Sequence, residues 1–200
     1  MPNDDDIATW DTESATFDDY ADHGLRDPQV RAAWRELLLG LLPPAPARVA
    51  DLGCGTGTLS VLLADAGYAV DGVDFSPEMV RRAEAKAFGR SEVRFVRADA
   101  ADPPLPPASY DVVLSRHVLW AMPDPGVTLE RWSGLLAEGG VLVLVEGRWA
   151  NGAGLSAAAT LALVRATGRP ADLTRLPDPV LWGAPIADDR YVVLGGPIRS

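Results

Sequence analysis

A short apolar run that leads into a glycine-rich loop is the feature that most restricts how this chain can fold. Residues 50–58 read ADLGCGTGT, with glycines at the alternate positions 53, 55 and 57. Glycines let a backbone approach a ligand closely, and the free N–H groups of a following helix face the same side. The stretch therefore predicts a strand, a loop and a helix with a ligand bound at the loop.

Further apolar runs follow, and segments with helical spacing separate them. The runs lie at 68–74, 93–99, 110–117 and 141–147, with helices predicted after Ser76 and near 126–137. Valine and leucine runs without polar alternation are typical of parallel strands buried on both faces. Their alternation with helices indicates crossover connections. We predict an α/β fold with a doubly wound, mostly parallel sheet and helices on both faces.

The two ends of the chain have other patterns. An apolar stripe predicts a helix that begins at Asp27-Pro28 and is ended by the prolines at 43, 44 and 46. After Gly147 the pattern weakens, and it predicts a helix at about 155–167. The stretches LWGAP and YVVLG are then expected as closing strands.

Charge and cysteine content restrict the partners. The chain of 200 residues has 18 Lys and Arg against 28 Asp and Glu, a net charge of -10, which disfavours nucleic acid and anionic membranes as partners. The single cysteine, Cys54, allows no internal disulfide, and the start MPNDDDIATW lacks the order of a signal peptide. The longest uncharged stretch, 149–164, is interrupted by polar residues and glycines. We therefore expect a cytoplasmic protein.

The loop itself favours a nucleoside over a dinucleotide or a triphosphate. A dinucleotide fingerprint needs a glycine at the sixth position, which here is Thr58, and no Gly-Lys-Ser or Gly-Lys-Thr triplet follows the strand. Asp74 ends the second strand, where a carboxylate can accept both hydroxyls of a ribose. Loop and acid together predict a site for a nucleoside.

Five longer motifs occur in order across about 48–147: VADLGCGTG, VDGVDFSPEMV, VRADAADPPLP, YDVVLSRHVLW and LLAEGGVLVLVEG. They resemble the successive motifs of class I methyltransferases that use S-adenosylmethionine. The stretches WDTESATFDDYADHGLRDP and EGRW are similar to small bacterial members of the ubiquinone and menaquinone methyltransferase branch. The resemblance implies a Rossmann-like sheet of seven strands with the last strand antiparallel, and S-adenosylmethionine as cofactor.

The resemblance also implies roles for residues of the first two motifs. Asp51, Gly53 and Gly55 would surround the methionine portion of the cofactor, and Asp74 would accept the ribose hydroxyls. An acidic site of this kind suits the positive charge of a sulfonium. The alternative for Asp51, and for Asp99 in the third motif, is that the carboxylate caps a helix or a turn.

Further cofactor contacts are implied around the adenine. Phe75 and Met79 would flank the ring, Asp99 would accept its amino group, and Ala100 would lie beside it.

Contacts with the cofactor's amino acid end are implied at the end of the fourth strand. Ser115 and Arg116 would meet that end, and Tyr20 of the N-terminal segment would close over it. Arg116 departs from the small or neutral residue that the family pattern leads us to expect there.

Methyl transfer from a sulfonium is an in-line displacement, so placing the acceptor supplies most of the acceleration, and only some acceptors need a base. His117, at the end of the fourth strand, and His23, in the N-terminal segment, are the candidate catalytic residues. Each could instead be structural or merely solvated. Because the two lie far apart in sequence and no Cys and His cluster has metal-ligand spacing, we expect no metal.

The remaining chain is expected to form the acceptor site. Glu146 or Arg148 could orient the acceptor, although Glu146 could equally pair with Arg148 or Arg116. Trp34 and Trp132 are expected in the core. Core packing is also the simpler expectation for Trp10, Trp120, Trp149 and Trp182, whose rings could instead line an apolar acceptor pocket. If the acidic run DTESATFDDYAD folds over the site, it would favour a cationic acceptor.

We therefore expect one domain over 1–200. Residues 1–47 would form a lid and helix, 48–147 the cofactor-binding core, 148–187 the acceptor segment and 188–200 a closing strand and tail. The predicted function is methyl transfer to a small-molecule acceptor at an O, N or C atom. The alternatives are a nicotinamide-dependent oxidoreductase and a non-catalytic protein that binds S-adenosylmethionine.

Overall fold

A seven-stranded sheet lies at the centre of the protein in a computed structural model that describes residues 3–198. Along the sheet the strands follow the order β3-β2-β1-β4-β5-β7-β6. Their bounds are β1 Arg48–Leu52, β2 Ala69–Asp74, β3 Val93–Arg97, β4 Tyr110–Arg116, β5 Leu136–Arg148, β6 Ala171–Arg175 and β7 Asp189–Gly195. Strands β1 to β5 pair in parallel, and β7 pairs antiparallel with both β5 and β6. The doubly wound, mostly parallel sheet with an antiparallel last strand is confirmed.

Helices connect the strands and begin where the sequence offers a cap. Their bounds are α1 Asp4–Glu13, α2 Ala21–Gly24, α3 Pro28–Leu41, α4 Thr58–Ala64, α5 Pro77–Lys86, α6 Pro125–Leu135 and α7 Ala157–Ala166. Asp27, Ser76 and Asp124 each accept a hydrogen bond from a backbone N–H of the first turn, and a proline follows each of them. Within the described chain, none of these helices has the length and hydrophobicity that crossing a bilayer requires.

The sheet is buried on both faces. Along β5, Leu142 and Leu144 pack with α6 and α7 on one face, while Val143 and Val145 pack with α3 and α4 on the other, and all four are fully buried. Strand side chains alternate between faces, so a strand covered on both sides must be apolar at every position. This explains the continuous valine and leucine run.

Three parts of the fold differ from the sequence expectation. LWGAP, residues 181–185, is not a strand: a 3₁₀ turn at Pro179–Leu181, capped by the Asp178 side chain that accepts from the N–H of Val180, leads into it. The short, polar segment Ala171–Arg175 is instead the edge strand β6. The N-terminal segment begins with α1, where Asn3 and Asp6 cap the first turn reciprocally.

Leu114 is fully buried in the central strand β4. The substitution Leu114→Ala should lower the free energy of unfolding by about 2–5 kcal/mol. The loss comes from the removed burial and from the cavity left behind. Val127→Ala is the matched control, because Val127 is 43% exposed, and it should stay within about 0.5 kcal/mol of the parent. Denaturant unfolding measures both, and equal losses would contradict the central place of β4.

Candidate active site

A cavity of about 650 Å³ lies at the carboxyl ends of β1, β2 and β4. Open parallel sheets bind their ligands at this edge, and ligand cavities measure roughly 300–1,000 Å³. Glu146 and Arg148, the residues expected to orient the acceptor, do not line this cavity. All of the predicted cofactor-binding and catalytic residues do, except Ser115. They are Tyr20, His23, Asp51, Gly53, Gly55, Asp74, Phe75, Met79, Asp99, Ala100, Arg116 and His117.

The glycine loop after β1 has a conformation that needs glycine. Gly53 and Gly55 have φ angles of 73° and 54°, in the left-handed region. A Cβ added to Gly53 would also overlap the Val118 side chain. The N–H groups of Gly53 and Cys54 both donate to the carbonyl of Val73, at 2.8 and 3.0 Å, and thereby join the loop to the end of β2.

Asp74 joins this loop to the start of α5. Its Oδ2 accepts from the N–H of Gly55 at 2.9 Å, and its Oδ1 accepts from the N–H of Ser76 at 2.9 Å. Burial raises the pKa of Asp74, whereas these backbone hydrogen bonds act in the opposite direction. Each carboxylate oxygen keeps a lone pair for another donor, and the side chain lines the cavity. The arrangement fits two neighbouring hydroxyls of a ribose.

Asp51 and Arg116 place opposite charges at the inner end of the cavity. Asp51 accepts a hydrogen bond of 2.5 Å from Ser60 Oγ, and burial raises the pKa of Asp51 to about 6. The Arg116 guanidinium lies 5.1 Å from the ring centre of Trp34 and donates to the carbonyl of Asp22. Burial lowers the pKa of Arg116, and Asp51 acts against that shift. The pair matches the two charges of an amino acid.

The opposite end of the cavity offers flat, apolar surface beside an acid. Phe75, Met79, Asp99 and Ala100 line it. Asp99 also accepts from the N–H of Ala101 at 2.8 Å. This carboxylate therefore caps a turn, as the alternative interpretation expected, in addition to lining the cavity. Trp132 donates from its Nε1 to the carbonyl of Ala100 at 2.7 Å and thereby fixes this loop from within the core.

Ser115 lies away from the cavity. It is fully buried, and its Oγ donates to the carbonyl of Leu52 at 2.9 Å, which connects β4 to β1. Alternation along β4 puts Ser115 on the same core face as Val113, whereas Arg116 reaches the cavity. The structure therefore gives the Ser115 side chain a contact within the sheet, and a contact of this residue with the cofactor stays a prediction.

The N-terminal segment, residues 4–24, covers the loop through its acids. Asp11 accepts from Ser76 Oγ at 2.5 Å, and Asp18 pairs with Lys86 at 2.9 Å and accepts from Thr56 Oγ1 at 2.5 Å. These carboxylates are occupied by protein partners. The acidic run therefore attaches the segment to the glycine loop and α5, which weakens the expectation of a cationic acceptor.

The two histidines meet inside the cavity, with ring centres 6.3 Å apart. His117 Nε2 lies 3.1 Å from Arg190 Nη1, and because arginine has only donors, Nε2 must accept. Burial and the nearby Arg116 and Arg190 hold the pKa of His117 well below its usual value. Burial is also the largest cause that lowers the pKa of His23, to about 4. Both are neutral at pH 7, and the catalytic role assigned to them stays a prediction.

Asp22, His23 and His117 form the kind of cluster that sequence spacing argued against. Their potential ligand atoms lie within 4.8 Å of one another, although the two histidines are far apart in sequence. The guanidinium groups of Arg116 and Arg190 interact electrostatically with both histidines, which opposes a divalent cation there. The absence of a metal stays a prediction.

Arg190 is a cavity residue that the sequence reasoning missed. It lies in β7 opposite Gly147 of β5 and lines the cavity. A Cβ on Gly147 would lie 2.7 Å from Arg190 Cδ, so the glycine leaves room for the arginine. The expected antiparallel last strand could have indicated Arg190. Such a strand begins at the edge of the sheet where the parallel strands end, so its first residues lie near the cavity.

The tryptophans divide between core and cavity. Trp34 and Trp132 are fully buried, as expected, and Trp182 is buried with its ring edge-on to Trp34 at 5.5 Å. Core packing is the wrong expectation for the other three, which line the cavity: Trp10, Trp120 and Trp149. The last two have ring centres 5.3 Å apart.

Glu146 supports the cavity from behind. Its Oε1 accepts from the N–H groups of Val118 and Leu119 at 3.1 and 2.8 Å, and no ion pair to Arg148 or Arg116 is present among the described residues. Burial raises the pKa of Glu146 to about 8. The carboxyl group therefore holds the loop after β4, and with it the Val118 side chain that packs on Gly53.

Known proteins resemble this chain in sequence. Residues 50–144 match the family model described as a methyltransferase domain. The chain is 38% identical over 117 residues to a demethylmenaquinone methyltransferase of Thermus thermophilus, a match that covers 56% of this chain and 53% of the relative. It is 36% identical over 140 residues to the 27-O-demethylrifamycin SV methyltransferase of Amycolatopsis mediterranei, covering 68% and 48%.

The fold also has solved counterparts. A chain in the complex between the Haloferax volcanii Trm112 methyltransferase activator and a methyltransferase superposes with a TM-score of 0.73 at 21% identity, covering 95% of this chain and 98% of that chain. At this identity the likeness shows the fold alone.

The sheet, the glycine loop and the acid at the end of β2 form a Rossmann-like arrangement with a cavity at the carboxyl edge of the strands. Together with the sequence matches, they identify residues 50–144 as a methyltransferase domain similar to those of the class I S-adenosylmethionine-dependent methyltransferases. The chain spans about half the length of the curated relatives it matches, 53% and 48% of the two named above.

The buried carboxyl group of Glu146 should make stability fall as the pH rises. Its folded pKa of about 8 lies above the ordinary value of 4.5, so the stabilising contribution is full below pH 4.5 and is lost as the pH rises to 8. The slope of the free energy of unfolding from this group reaches at most about 1.4 kcal/mol per pH unit.

Glu146→Gln removes this titration and keeps an oxygen that can accept from both N–H groups. Denaturant unfolding of the parent and the variant between pH 5 and pH 9 measures the difference. We expect the free energy of unfolding of the variant to rise steadily relative to that of the parent up to about pH 8. Parallel stability curves would show that Glu146 does not titrate in this range.

Proposed function

We propose that this protein transfers the methyl group of S-adenosylmethionine to a small-molecule acceptor. The observation that carries the proposal is the Asp74 carboxylate, which lines the cavity, is fixed at the glycine loop by two backbone N–H groups and keeps lone pairs for further donors. A fixed acceptor of two hydrogen bonds suits the neighbouring hydroxyls of a ribose. The glycine loop and Asp51 lie in the same cavity, where the rest of the cofactor would lie.

The other cavity residues fit the remaining parts of the cofactor. Asp51 would bind the ammonium group of the methionine portion and Arg116 its carboxylate, which gives Arg116 a role despite its departure from the family pattern. Phe75 and Met79 would flank the adenine, with Asp99 at its amino group. When bound, the cofactor supplies an activated methyl group on a positively charged sulfur.

The protein's own contribution is placement and electrostatics. Carboxylates at the cofactor end stabilise the positive charge, and the indole rings of Trp10, Trp120 and Trp149 give the acceptor an apolar wall that excludes water. Both histidines are weak bases, because burial and the nearby guanidinium groups lower their pKa values, and the lone pair of His117 Nε2 is occupied. The reaction then depends on how the acceptor is held.

The relatives support a small acceptor, since both named enzymes are described as acting on small molecules, demethylmenaquinone and a demethylrifamycin. Nothing in the cavity favours the nicotinamide alternative: Thr58 replaces the third glycine of the dinucleotide fingerprint. The non-catalytic alternative is separated by turnover, because it predicts cofactor binding without transfer.

Asp74→Ala should weaken the binding of S-adenosylhomocysteine by roughly 1.5–3 kcal/mol, or about tenfold to a hundredfold, because the ribose hydrogen bonds are lost. Asp71→Asn is the matched control: Asp71 is a buried carboxylate of the same strand that binds Tyr110, Arg48 and Arg94 away from the cavity. The control should lose stability and keep its affinity. Isothermal titration calorimetry measures both.

The same titrations with reduced nicotinamide dinucleotide separate the enzyme classes. We expect the parent to bind S-adenosylhomocysteine and to show no heat with the dinucleotide. Mass spectrometry of acceptor panels then detects a gain of one methyl group. Unchanged affinity in Asp74→Ala, or binding of the dinucleotide alone, would refute the proposal.

A further inference from the structure

Beside the cofactor residues, the cavity has a second part with aromatic walls. Trp120 and Trp149 meet at 5.3 Å between ring centres, and the ring of Trp149 also lies 5.3 Å from that of His117. Trp10 and Phe17 meet at 6.3 Å nearer the glycine loop, where Phe17 faces Gly55. Tyr20 lines the same cavity and is 57% exposed, which places it at the opening. Flat rings on several sides fit a planar apolar molecule.

The guanidinium group of Arg190 lies at the inner end of this part. The guanidinium carbon lies 5.1 Å from the ring centre of Trp149 and 4.9 Å from that of Trp182. Nη2 pairs with Asp188 at 2.9 Å, Nη1 contacts His117 Nε2 at 3.1 Å, and the side chain is 11% exposed. Two rings, a carboxylate and an imidazole thus hold the arginine in one orientation.

Arg190 keeps donors that these contacts do not use. Its Nε is buried and has no hydrogen-bond partner among residues 3–198, and the same holds for Nδ1 of His23 on the other side of the cavity end. An arginine carries more N–H bonds than the contacts to Asp188 and His117 occupy. Buried polar atoms are nearly always hydrogen-bonded in native proteins, so these two groups are donor or acceptor capacity that the described residues leave unused.

Gly147 shows that the structure is shaped around this arginine. The two residues are paired across β5 and β7, and a Cβ on Gly147 would lie 2.7 Å from Arg190 Cδ and 3.3 Å from Nε. Any larger residue would push the guanidinium out of its place between the two indole rings.

The charges divide between the two parts of the cavity. Asp51, Asp74 and Asp99 belong to the cofactor part, whereas the histidine end carries Arg116 and Arg190 beside Asp22 and Asp188. With Arg116 assigned to the cofactor's carboxylate, Arg190 remains as the cation of the acceptor part.

We infer that the acceptor is a planar aromatic molecule with an ionised oxygen, and that Arg190 binds this oxygen. The inference rests on the proposed methyl transfer only in treating the bound molecule as the methyl acceptor. Binding of an anion at Arg190 can be measured without the cofactor. A carboxylate and an acidic phenol share the required chemistry. In this account Trp149 and Trp182 position Arg190, and His117 is a positioning residue for its guanidinium.

Calorimetric titration with matched pairs of probes tests this inference. The first pair is 2-naphthoate and its neutral analogue 2-naphthamide, and the second is ionised 4-nitrophenol, above neutral pH, and nitrobenzene. We expect the anion of at least one pair to bind about tenfold more tightly than its neutral partner. A charge-assisted hydrogen bond to the anion would account for a difference of this size. The pair that shows the preference tells a carboxylate from a phenol.

Two variants assign the preference to the arginine. Arg190→Gln should abolish it, and Gly147→Ala should reduce it while every charge is kept. Arg175→Gln is the matched control, because Arg175 lies on the neighbouring β6, pairs with Asp189 and is not part of the cavity. It should leave the preference unchanged, and circular dichroism melting checks that each variant folds.

Each titration is made with and without S-adenosylhomocysteine, so the two proposals can fail separately. Absence of heat with S-adenosylhomocysteine refutes the proposed cofactor and leaves the anion preference measurable. Equal binding of charged and neutral probes, tighter binding of 2-naphthylmethylamine than of 2-naphthoate, or a full preference in Arg190→Gln would overturn the inference. Binding of no probe at all would overturn it too.

Discussion

The two backbone hydrogen bonds to Asp74 are the interaction on which the cavity depends. They join the loop after β1, through Gly55, to the turn that begins α5, through Ser76. A carboxylate held in this way cannot rotate, so its free lone pairs point in fixed directions. The backbone donors also offset part of the cost of burying its charge, which would otherwise raise the pKa of Asp74 further. One side chain therefore both shapes the loop and presents a binding group.

The parts around Asp74 reinforce this arrangement from several directions. Glu146 holds the N–H groups of the loop after β4, which places Val118 against Gly53. Asp11, in the N-terminal segment, accepts from the hydroxyl of Ser76, whose backbone N–H is one of the two donors to Asp74. Acids thus dominate the part of the cavity that we propose binds the cofactor, and a guanidinium that contacts two indole rings lies at the other end.

Much of the fold and of the cofactor end could be predicted from the sequence, because local patterns fix both. Valine and leucine runs mark buried strands, and the carboxyl ends of parallel strands meet at one edge, which brings Asp51 and Asp74 together. The contact of the Ser115 side chain within the sheet was not predicted, because the end of a strand does not tell which face a side chain takes. The polar edge strand β6 has no such pattern and was missed.

The acceptor end resisted prediction for a different reason. Its groups come from distant parts of the chain: His23 from the N-terminal segment, His117 from the end of β4 and Arg190 from β7. Sequence spacing suggested that the histidines are unrelated, whereas crossover connections and the returning last strand bring all three together. Contacts of this kind follow from topology, and only a packed structure reveals them.

A crystal structure of the protein with S-adenosylhomocysteine tests the central claim most directly, because it shows which side chain receives the ribose. The account predicts both ribose hydroxyls within hydrogen-bond distance of the Asp74 carboxylate, with the glycine loop against the methionine portion. Ribose hydroxyls bound to another side chain, or a ligand outside this cavity, would contradict it.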